Sequence, residues 1–287
     1  MAQIIDGKAI AATLTAQVAA DVRALQIECG VTAALAVILV GSDPASEVYV
    51  RRKLKEAARA GIRSLEYRFD TSYSQAELLA LIAQLNADES VHGILVQLPL
   101  PPHIDAALVL DAIDPGKDVD GFHPVNVGRL STGTGGLVPC TPLGCMTLLD
   151  TVVEDYRGLN AVVIGKSNIV GKPVAMLLLE RECTVTVTHI LTKGLPDIVR
   201  AADLIVVAAG SPGLVHGSWV KPGAILIDVG INRITDADGK QRLVGDALFA
   251  EMDHAAAITP VPGGVGPMTI ACLLANTIKA ARSAIVG

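Results

Sequence analysis

A tyrosine and a lysine four residues apart, Tyr49 and Lys53, have types and spacing suited to proton transfer. The surrounding pattern predicts a helix from Glu47 to Ala60, and at this spacing both side chains lie on one helix face. Small residues share that face, so the lysine would lose hydration and could act as a general acid or base. Spacing alone leaves the alternative open, a surface lysine whose stem lies along the helix.

The stretch Val91–Pro102 (VHGILVQLPLPP) places a polar side chain, Gln97, at the end of an apolar run. The run predicts a buried strand that leads into a proline-rich loop. In open α/β sheets, ligands bind at the carboxyl ends of such strands. Gln97 is therefore either a ligand contact or a polar group satisfied at the strand end.

Two acidic runs, Lys117–Gly121 (KDVDG) and Thr235–Lys240 (TDADGK), resemble the start of a calcium-binding loop. Further ligands at the required spacing do not follow them, and position 245, where a glutamate would be needed, is Gly245. We therefore predict no metal site and interpret TDADGK as a hairpin turn.

The segment Gly165–Gly171 (GKSNIVG) lies between a predicted strand and a predicted helix. A glycine turn at such a junction directs backbone N–H groups at an anion. Its spacing matches neither the G-x-G-x-x-G pattern nor a P-loop. The strand–turn–helix setting favours a dinucleotide pyrophosphate, with a plain tight turn as the alternative.

The strand after that helix ends in His189 and carries no carboxylate for the ribose hydroxyls of NAD. Lys166 in the glycine turn, and the cations and hydroxyls after the strand, suit a 2′-phosphate instead. The sequence therefore favours NADP, although Lys166 and His189 taken singly could be solvated loop residues. The proline- and glycine-rich loop Pro260–Thr269 is either a support for a planar ligand or an elaborate turn.

Composition narrows the class of protein. The chain has 287 residues, 51% of them hydrophobic, 3% aromatic and a net charge of -6. These values favour an aliphatic α/β protein and argue against nucleic-acid binding. Five cysteines without a C-x-x-C pair indicate reduced thiols and a cytoplasmic location. Apolar runs are too short for a membrane span, and the N-terminus does not resemble a signal peptide.

Helical and strand patterns alternate along the chain in two runs. The first ends near Ile113, and the second begins near Leu159 with Rossmann-like βαβ spacing. Between them, Asp114–Leu143 is expected to be loop, and Ser46 is expected to cap the helix of Lys53. We predict two open α/β domains, the second Rossmann-like, with an active-site cleft between them. The expected domains are residues 1–138, joined by a C-terminal helix at 268–287, and residues 139–267.

Seven motifs together resemble the bifunctional methylenetetrahydrofolate dehydrogenase/methenyltetrahydrofolate cyclohydrolase family. They occur in the family's order and span nearly the whole chain: YVRRK (49–53), GILVQLPLP (93–101), KDVDGFHPVNVGRL (117–130), PCTP (139–142), VVIGKSNIVGKP (162–173), DVGIN (228–232) and TPVPGGVGPMT (259–269). The resemblance implies oxidation of 5,10-methylenetetrahydrofolate with NADP, then hydrolysis to 10-formyltetrahydrofolate. It also suggests a homodimer formed through the nucleotide domain.

The resemblance also implies residue roles in folate binding and catalysis. Lys53 would be the catalytic lysine, with Tyr49 beside it in the folate site. Gln97 would hydrogen-bond that lysine and help set its protonation state, and Asp120 would hold the pterin ring. The folate pocket would be lined by the backbone of Pro262, Gly263, Gly264 and Val265.

For the cofactor, the resemblance implies contacts of Gly165, Lys166 and Ser167 with the NADP phosphates. Thr192 would lie nearby, and the main chain of Ile231 would meet the nicotinamide. Lys166 and Ile190 depart from the residues common in the family. Two other readings of the chain are a non-catalytic NADP-binding regulator and a two-domain dehydrogenase acting on amino or shikimate-type acids. The first should lack Lys53, Gln97 or Asp120, and the second should lack the Tyr49/Lys53 pair and QLPLP.

Overall fold

Two separate parallel sheets organise the chain in the computed structural model, which describes residues 1–235 and 239–286. The chain divides into two units. The six-stranded unit comprises Met1–Ala11 and Thr141–Thr269, and the three-stranded unit comprises Ala12–Cys140 and Ile270–Gly287. We expected the first eleven residues in the earlier domain, but they join the six-stranded unit because Gln3 and Ile4 pair with the strand at Ala257–Ile258.

The three-stranded unit contains a parallel sheet in the order β3-β2-β4. Its strands are β2 (Ala34–Val40), β3 (Arg63–Phe69) and β4 (Gly93–Val96). The helices before Cys140 are α1 (Gly7–Cys29), which begins in the other unit, α2 (Pro44–Ala60), α3 (Gln75–Ala87), α4 (Ala106–Asp111) and α5 (Pro124–Thr132). Every residue of β2 is buried, as expected for the central strand of a covered parallel sheet.

The six-stranded unit contains, within the described residues, a parallel sheet in the order β1-β11-β8-β7-β5-β6. Its strands are β1 (Gln3–Ile4), β5 (Asn160–Ile164), β6 (Thr184–Thr188), β7 (Leu204–Val207), β8 (Ile225–Asp228) and β11 (Ala257–Ile258). A separate antiparallel pair is formed by β9 (Asn232–Thr235) and β10 (Gln241–Val244). The remaining helices are α6 (Cys140–Leu149), α7 (Gly171–Glu180), α8 (Leu195–Arg200) and α9 (Val265–Val286), with short 3₁₀ turns at Gly217–Trp219 and Phe249–Glu251.

Local sequence signals predict the start of α3 correctly, but the predicted start of α2 needs a correction. Ser74 and Glu77 form the predicted capping box at the start of α3. Helix α2 begins at Pro44 rather than Glu47, and Asp43 caps it by accepting a hydrogen bond from the backbone N–H of Ser46. The predicted cap Ser46 is wrong because a proline in the first turn follows an aspartate that can already satisfy the free N–H groups.

The predicted loop at Asp114–Leu143 contains a helix, α5, and the first residues of α6. Helix α5 starts with Pro124 in its first turn and the His123 ring as its cap. It ends at Gly133, which lies in the left-handed region with φ of 65°. Valine and glycine inside the segment weakened the helical pattern in the sequence. The predicted turn TDADGK includes residues 236–238, which lie outside the described part of the chain. Among the described residues, no helix is long and apolar enough to cross a membrane.

Candidate active site

Lys53 and Gln97 meet in the three-stranded unit. Lys53 lies on α2 with only 5% of its surface exposed, and its Nζ donates a hydrogen bond of 3.1 Å to Gln97 Oε1. Gln97 directly follows β4, and its Nε2 donates to the carbonyl of Leu98 at 2.6 Å. Because that second bond uses the amide nitrogen, the amide oxygen is the group that faces the lysine. The predicted pair is therefore brought together in one defined orientation.

The segment that carries Asp120 is attached to the sheet and to a helix end. Its backbone joins β4, where the N–H of Ile94 donates to the carbonyl of Lys117 at 2.7 Å. Lys117 Nζ in turn donates to three carbonyl oxygens at the end of α3, those of Leu85, Asn86 and Asp88, at 2.7 to 3.0 Å. A cation at a helix C-terminus is favoured by the helix dipole. Lys117 thus fixes the segment three residues before Asp120.

Asp118 and Asp120 have different surroundings, although their spacing in the sequence does not separate them. Asp118 is 1% exposed and accepts hydrogen bonds from His123 N, Phe122 N and Asn126 Nδ2. Its carboxylate is therefore used within the protein. Asp120 is half-buried. Among the residues described, no group of three His, Cys, Asp or Glu could hold a metal ion.

The pKa of the Asp120 carboxyl is raised above its ordinary value. Loss of hydration raises this pKa, as does the Asp118 carboxylate, whereas Lys53 and the Cys140 thiol lower it. Lys53 therefore interacts electrostatically with Asp120 and bonds to Gln97. Tyr49 lies one turn before Lys53 on α2 and is half-buried. This grouping combines an amine, an amide and a carboxyl, which is suited to binding a polar ring and moving a proton.

The turn between β5 and α7 is built on close backbone contacts. A side chain at Gly171 would place its Cβ 1.9 Å from the Gly165 carbonyl oxygen, and one at Gly165 would meet the Ala208 carbonyl oxygen at 2.2 Å. Gly165 also has φ of 119°, in the region that favours glycine. Ser167 Oγ accepts from the N–H groups of Val170 and Gly171 and closes the turn.

Four consecutive backbone N–H groups of this turn, at residues 166–169, have no acceptor within the described residues. Residues 166–169 lie at the carboxyl end of β5 and are exposed. Free N–H groups at this position of a doubly wound sheet suit a pyrophosphate. The residues present therefore fit a dinucleotide.

The neighbouring strand end, after β6, carries hydroxyl and imidazole groups rather than a carboxylate. Thr192 Oγ1 accepts from His189 N at 2.9 Å, and His189 Nδ1 accepts from Leu191 N at 3.2 Å. Lys166 is exposed just after β5, the strand that pairs with β6. A carboxylate would repel a 2′-phosphate, so this strand end is compatible with NADP.

Two buried carboxylates hold the strand ends near Ile231, a residue that is 50% exposed. Asp246 accepts from three successive backbone N–H groups after β7, those of residues 209–211, and from Asn232 Nδ2, each at 2.8 Å. Asp228 accepts from the N–H groups of Gly230, Asp246 and Ala247. The two side chains therefore connect the carboxyl ends of β7 and β8 through the backbone.

The loop at Pro262–Val265 packs against the start of α1 within the six-stranded unit. A Cβ at Gly7 would lie 1.9 Å from the Gly264 carbonyl oxygen, and one at Gly263 would lie 3.3 Å from Lys8 Cε. Gly263 has φ of 113°. The close backbone contact requires glycine at position 7, and the positive φ favours glycine at position 263.

Some residues that shape the site were missed from the sequence. Lys117, Cys140 and Asp246 received no role. Lys117 attaches the segment of Asp120 to α3, Cys140 bonds to the carbonyl before Asp120, and Asp246 accepts from the Asn232 side chain next to Ile231. Asn276 was also missed; it is an amide on α9 that is 3% exposed. One signal was present, because an asparagine inside the apolar run LLANTIKAA is unusual and is four residues after Cys272, on the same helix face.

Two family models match the chain. The model described as tetrahydrofolate dehydrogenase/cyclohydrolase, catalytic domain, matches residues 5–120. The model described as tetrahydrofolate dehydrogenase/cyclohydrolase, NAD(P)-binding domain, matches residues 139–285. A curated relative, Bifunctional protein FolD 1 of Rhizorhabdus wittichii, is 72% identical over 282 residues, which cover 98% of this chain and 96% of the relative.

Solved structures agree over the full length. The bifunctional enzyme FolD, methylenetetrahydrofolate dehydrogenase/cyclohydrolase, from Campylobacter jejuni is 51% identical with a TM-score of 0.94, and 99% of each chain is covered. The N5,N10-methylenetetrahydrofolate dehydrogenase-cyclohydrolase of Trypanosoma brucei, complexed with NADP cofactor and inhibitor, is 42% identical with a TM-score of 0.94. That match covers 100% of this chain and 99% of the other.

We predict that Asp228 titrates near pH 6. Burial raises the pKa of its carboxyl to about 6, against the lowering by three backbone N–H donors. Between about pH 4 and 6 the folded protein keeps a proton that the unfolded chain has lost, so this group's contribution to stability falls as pH rises through that window. Carbon-13 NMR of the carboxyl groups, with the signal assigned from Asp228→Asn, measures the midpoint.

Asp155 is the internal control for that titration. Its bonds with Arg157 lower the pKa of its carboxyl to about 2. The two midpoints should therefore lie on opposite sides of the ordinary value for aspartate. An Asp228 midpoint below pH 4 would contradict the prediction.

Proposed function

The chain belongs to the tetrahydrofolate dehydrogenase/cyclohydrolase family, and we propose that it performs both reactions of that family. It oxidises 5,10-methylenetetrahydrofolate to 5,10-methenyltetrahydrofolate with NADP and hydrolyses the product to 10-formyltetrahydrofolate. The observation that carries the proposal is the hydrogen bond from the buried Lys53 to Gln97, together with the electrostatic interaction of Lys53 with Asp120. A spectrophotometric assay of the purified chain tests it by following NADPH formation and then loss of methenyl absorbance.

The dehydrogenase step moves a hydride from the methylene carbon of the folate. NADP, when bound, supplies the acceptor, C4 of its nicotinamide ring. The step forms a methenyl cation and requires no acid or base, so the protein contributes mainly by orienting the reacting rings. In the six-stranded unit, Asp246 and Asp228 contribute by holding the strand ends beside Ile231 in one conformation.

The hydrolysis step needs proton transfer, because water attacks the methenyl carbon and the adduct then opens to the formyl product. Lys53 is the group we assign to that transfer. Its burial keeps it out of bulk water, and its bond to Gln97 Oε1 orients the amine. Gln97 is held in turn by its bond to the Leu98 carbonyl. Gln97 thus serves the lysine first and the substrate second.

Folate recognition is assigned to Asp120, with Tyr49 beside the lysine. A carboxylate accepts hydrogen bonds from the amino and ring N–H groups of a pterin, which present adjacent donors. Asp120 suits this role because Asp118 is already occupied by protein donors. A role for the backbone of Pro262, Gly263, Gly264 and Val265 in lining the folate pocket stays a prediction.

NADP binding is assigned to Gly165, Lys166 and Ser167, with Thr192 near the phosphates and the main chain of Ile231 at the nicotinamide. Support comes from the free N–H groups of the β5–α7 turn and from the strand end without a carboxylate. Family membership removes the alternative of a dehydrogenase acting on amino or shikimate-type acids. The presence of Lys53, Gln97 and Asp120 argues against a non-catalytic regulator.

Replacing Lys53 by methionine should abolish the cyclohydrolase reaction. Methionine keeps the length and the apolar packing but cannot transfer a proton, and general acid–base catalysis contributes about 10²- to 10⁴-fold. Loss of methenyl absorbance measures the rate. Lys55→Met is the matched control because Lys55 is exposed on the same helix, and its rate should stay near that of the wild type. Near-normal hydrolysis by Lys53→Met would refute the assignment.

Replacing Lys166 by methionine should weaken NADP more than NAD, because only NADP carries the 2′-phosphate. We expect a rise of about tenfold in the KM for NADP, equivalent to about 1.4 kcal/mol, with little change for NAD. The wild type should have the higher kcat/KM with NADP. Initial rates with both cofactors provide the comparison, and equal changes for NADP and NAD would contradict a contact with the 2′-phosphate.

A homodimer is proposed for the protein in solution, formed through the six-stranded unit. Strand β6 is at an edge of the sheet, and Val187 on it and Leu179 on α7 are 41% and 49% exposed. An exposed apolar edge favours association with another subunit. Sedimentation equilibrium should give twice the chain mass of 29.7 kDa. Substituting Val187 and Leu179 with lysine should shift the protein toward the monomer, and a monomeric wild type would exclude the proposal.

A further inference from the structure

The side-chain amide of Asn276 bridges two segments of the three-stranded unit. Its Nδ2 donates to the carbonyl oxygen of Val119 at 2.8 Å and to that of Val138 at 2.8 Å. Val119 directly precedes Asp120, and Val138 directly precedes the PCTP motif. Both N–H bonds of the amide are therefore used to hold the backbone next to Asp120 against a second segment.

A second donor, the thiol of Cys140 in the segment that follows Val138, bonds to the same carbonyl of Val119. Cys140 Sγ donates to the Val119 carbonyl at 3.2 Å, and Asn276 Nδ2 lies 3.7 Å from this sulfur. Burial raises the pKa of the Cys140 thiol well above its ordinary value, as does the nearby Asp120 carboxylate. The thiol therefore stays protonated and remains a donor. The interaction with Cys140 also lowers the pKa of Asp120.

The backbones that Asn276 connects are in direct contact just beyond Asp120. Gly121 has φ of 74°, and a Cβ there would lie 2.5 Å from the Pro139 nitrogen and 2.6 Å from the Val138 carbonyl carbon. Asp120 therefore lies between a clamped carbonyl on one side and a close glycine contact on the other. A shift at Val138 or Val119 would be transmitted to its carboxyl group.

An amide at position 276 has an energetic disadvantage that its two bonds offset. The side chain is 3% exposed on a helix of mostly apolar residues, where an unpaired amide would be strongly unfavourable. Its partners are the main-chain oxygens of Val119 and Val138, which are 157 and 138 residues away in the chain. An apolar residue at position 276 would leave the carbonyls of Val119 and Val138 without these amide donors. The position of these partners suggests a role in the site.

We propose that Asn276, assisted by the thiol of Cys140, is a positioning residue for Asp120 in folate binding and, through Asp120, for proton transfer at Lys53. The inference rests on the proposed function. It assigns to α9 a part in substrate recognition, although Asn276 need not touch the folate. Loss of the amide donors should affect the folate and leave the NADP site of the six-stranded unit unaffected.

The test compares Asn276→Leu and Asn276→Asp with Thr277→Val. Leucine and aspartate remove the donors, and aspartate keeps the shape of the side chain. Thr277 is a matched control on the same helix because it is fully buried and its hydroxyl donates only to the Leu273 carbonyl one turn away. We expect kcat/KM for methylenetetrahydrofolate to fall about 10- to 100-fold in both Asn276 variants, with the KM for NADP within twofold of the wild type. Thr277→Val should match the wild type.

A second pair of variants tests the clamp where an Asn276 variant does not fold. Cys140→Ala removes the thiol donor, and Cys140→Ser retains one. Carbon-13 NMR should show the Asp120 titration shifted upward in Cys140→Ala, and Cys140→Ser should restore it. The pH profile of the cyclohydrolase should move in the same direction as that titration.

The outcomes separate this inference from the proposed function. A wild type without either activity would refute the function, whereas the Asp120 titration would still report on the clamp. Equal losses for folate and NADP, or a loss of stability with unchanged kinetics in the folded fraction, would overturn the positioning role. An unchanged Asp120 titration in Cys140→Ala and the Asn276 variants would overturn it as well.

Discussion

A single hydrogen bond, from Lys53 to Gln97 at 3.1 Å, is the interaction on which the catalytic half of the protein depends. A lysine that is 5% exposed has lost most of its hydration and requires polar partners. The strand end provides one, because Gln97 follows β4 and is itself held by the Leu98 carbonyl. The parallel sheet provides the setting, since its buried strands end where α2 passes with the lysine. The alternative of a surface lysine is thereby removed.

The six-stranded unit has to keep loop backbone rigid around a cofactor. Buried carboxylates do this by accepting hydrogen bonds where several backbone N–H groups converge. Asp246 takes three successive N–H groups, and Asp228 takes three more, one of them from Asp246 itself. The β5–α7 turn lacks such a carboxylate, and its N–H groups remain free at residues 166–169. The contrast marks that turn as the part of the unit suited to an external anion.

Features encoded by neighbouring residues were predictable from the sequence, and features that depend on distant partners were not. The strand at Ala34–Val40 and the capping box of Ser74 and Glu77 follow from local pattern. The position of Gln97 at a strand end was also correct. The helix at Pro124–Thr132 was missed because its interior pattern is weak. It forms because its start and stop signals outweigh that interior. The family resemblance pointed to Asp120, but the physical reason that sets it apart from Asp118 is the set of protein donors to Asp118, which spacing does not reveal. The role of Asn276 depends on its distant partner Val119.

Lys117 attaches the Asp120 segment to α3 through the carbonyl oxygens of Leu85, Asn86 and Asp88. Every residue type carries a carbonyl, so this attachment does not depend on which side chains occupy the last turn of α3. Asn276 follows the same rule, since both of its acceptors are main-chain oxygens. Each clamp therefore concentrates its sequence requirement in one donor residue and leaves its acceptor positions free to vary. Such an arrangement makes the geometry of the site robust to mutational drift in the surrounding sequence.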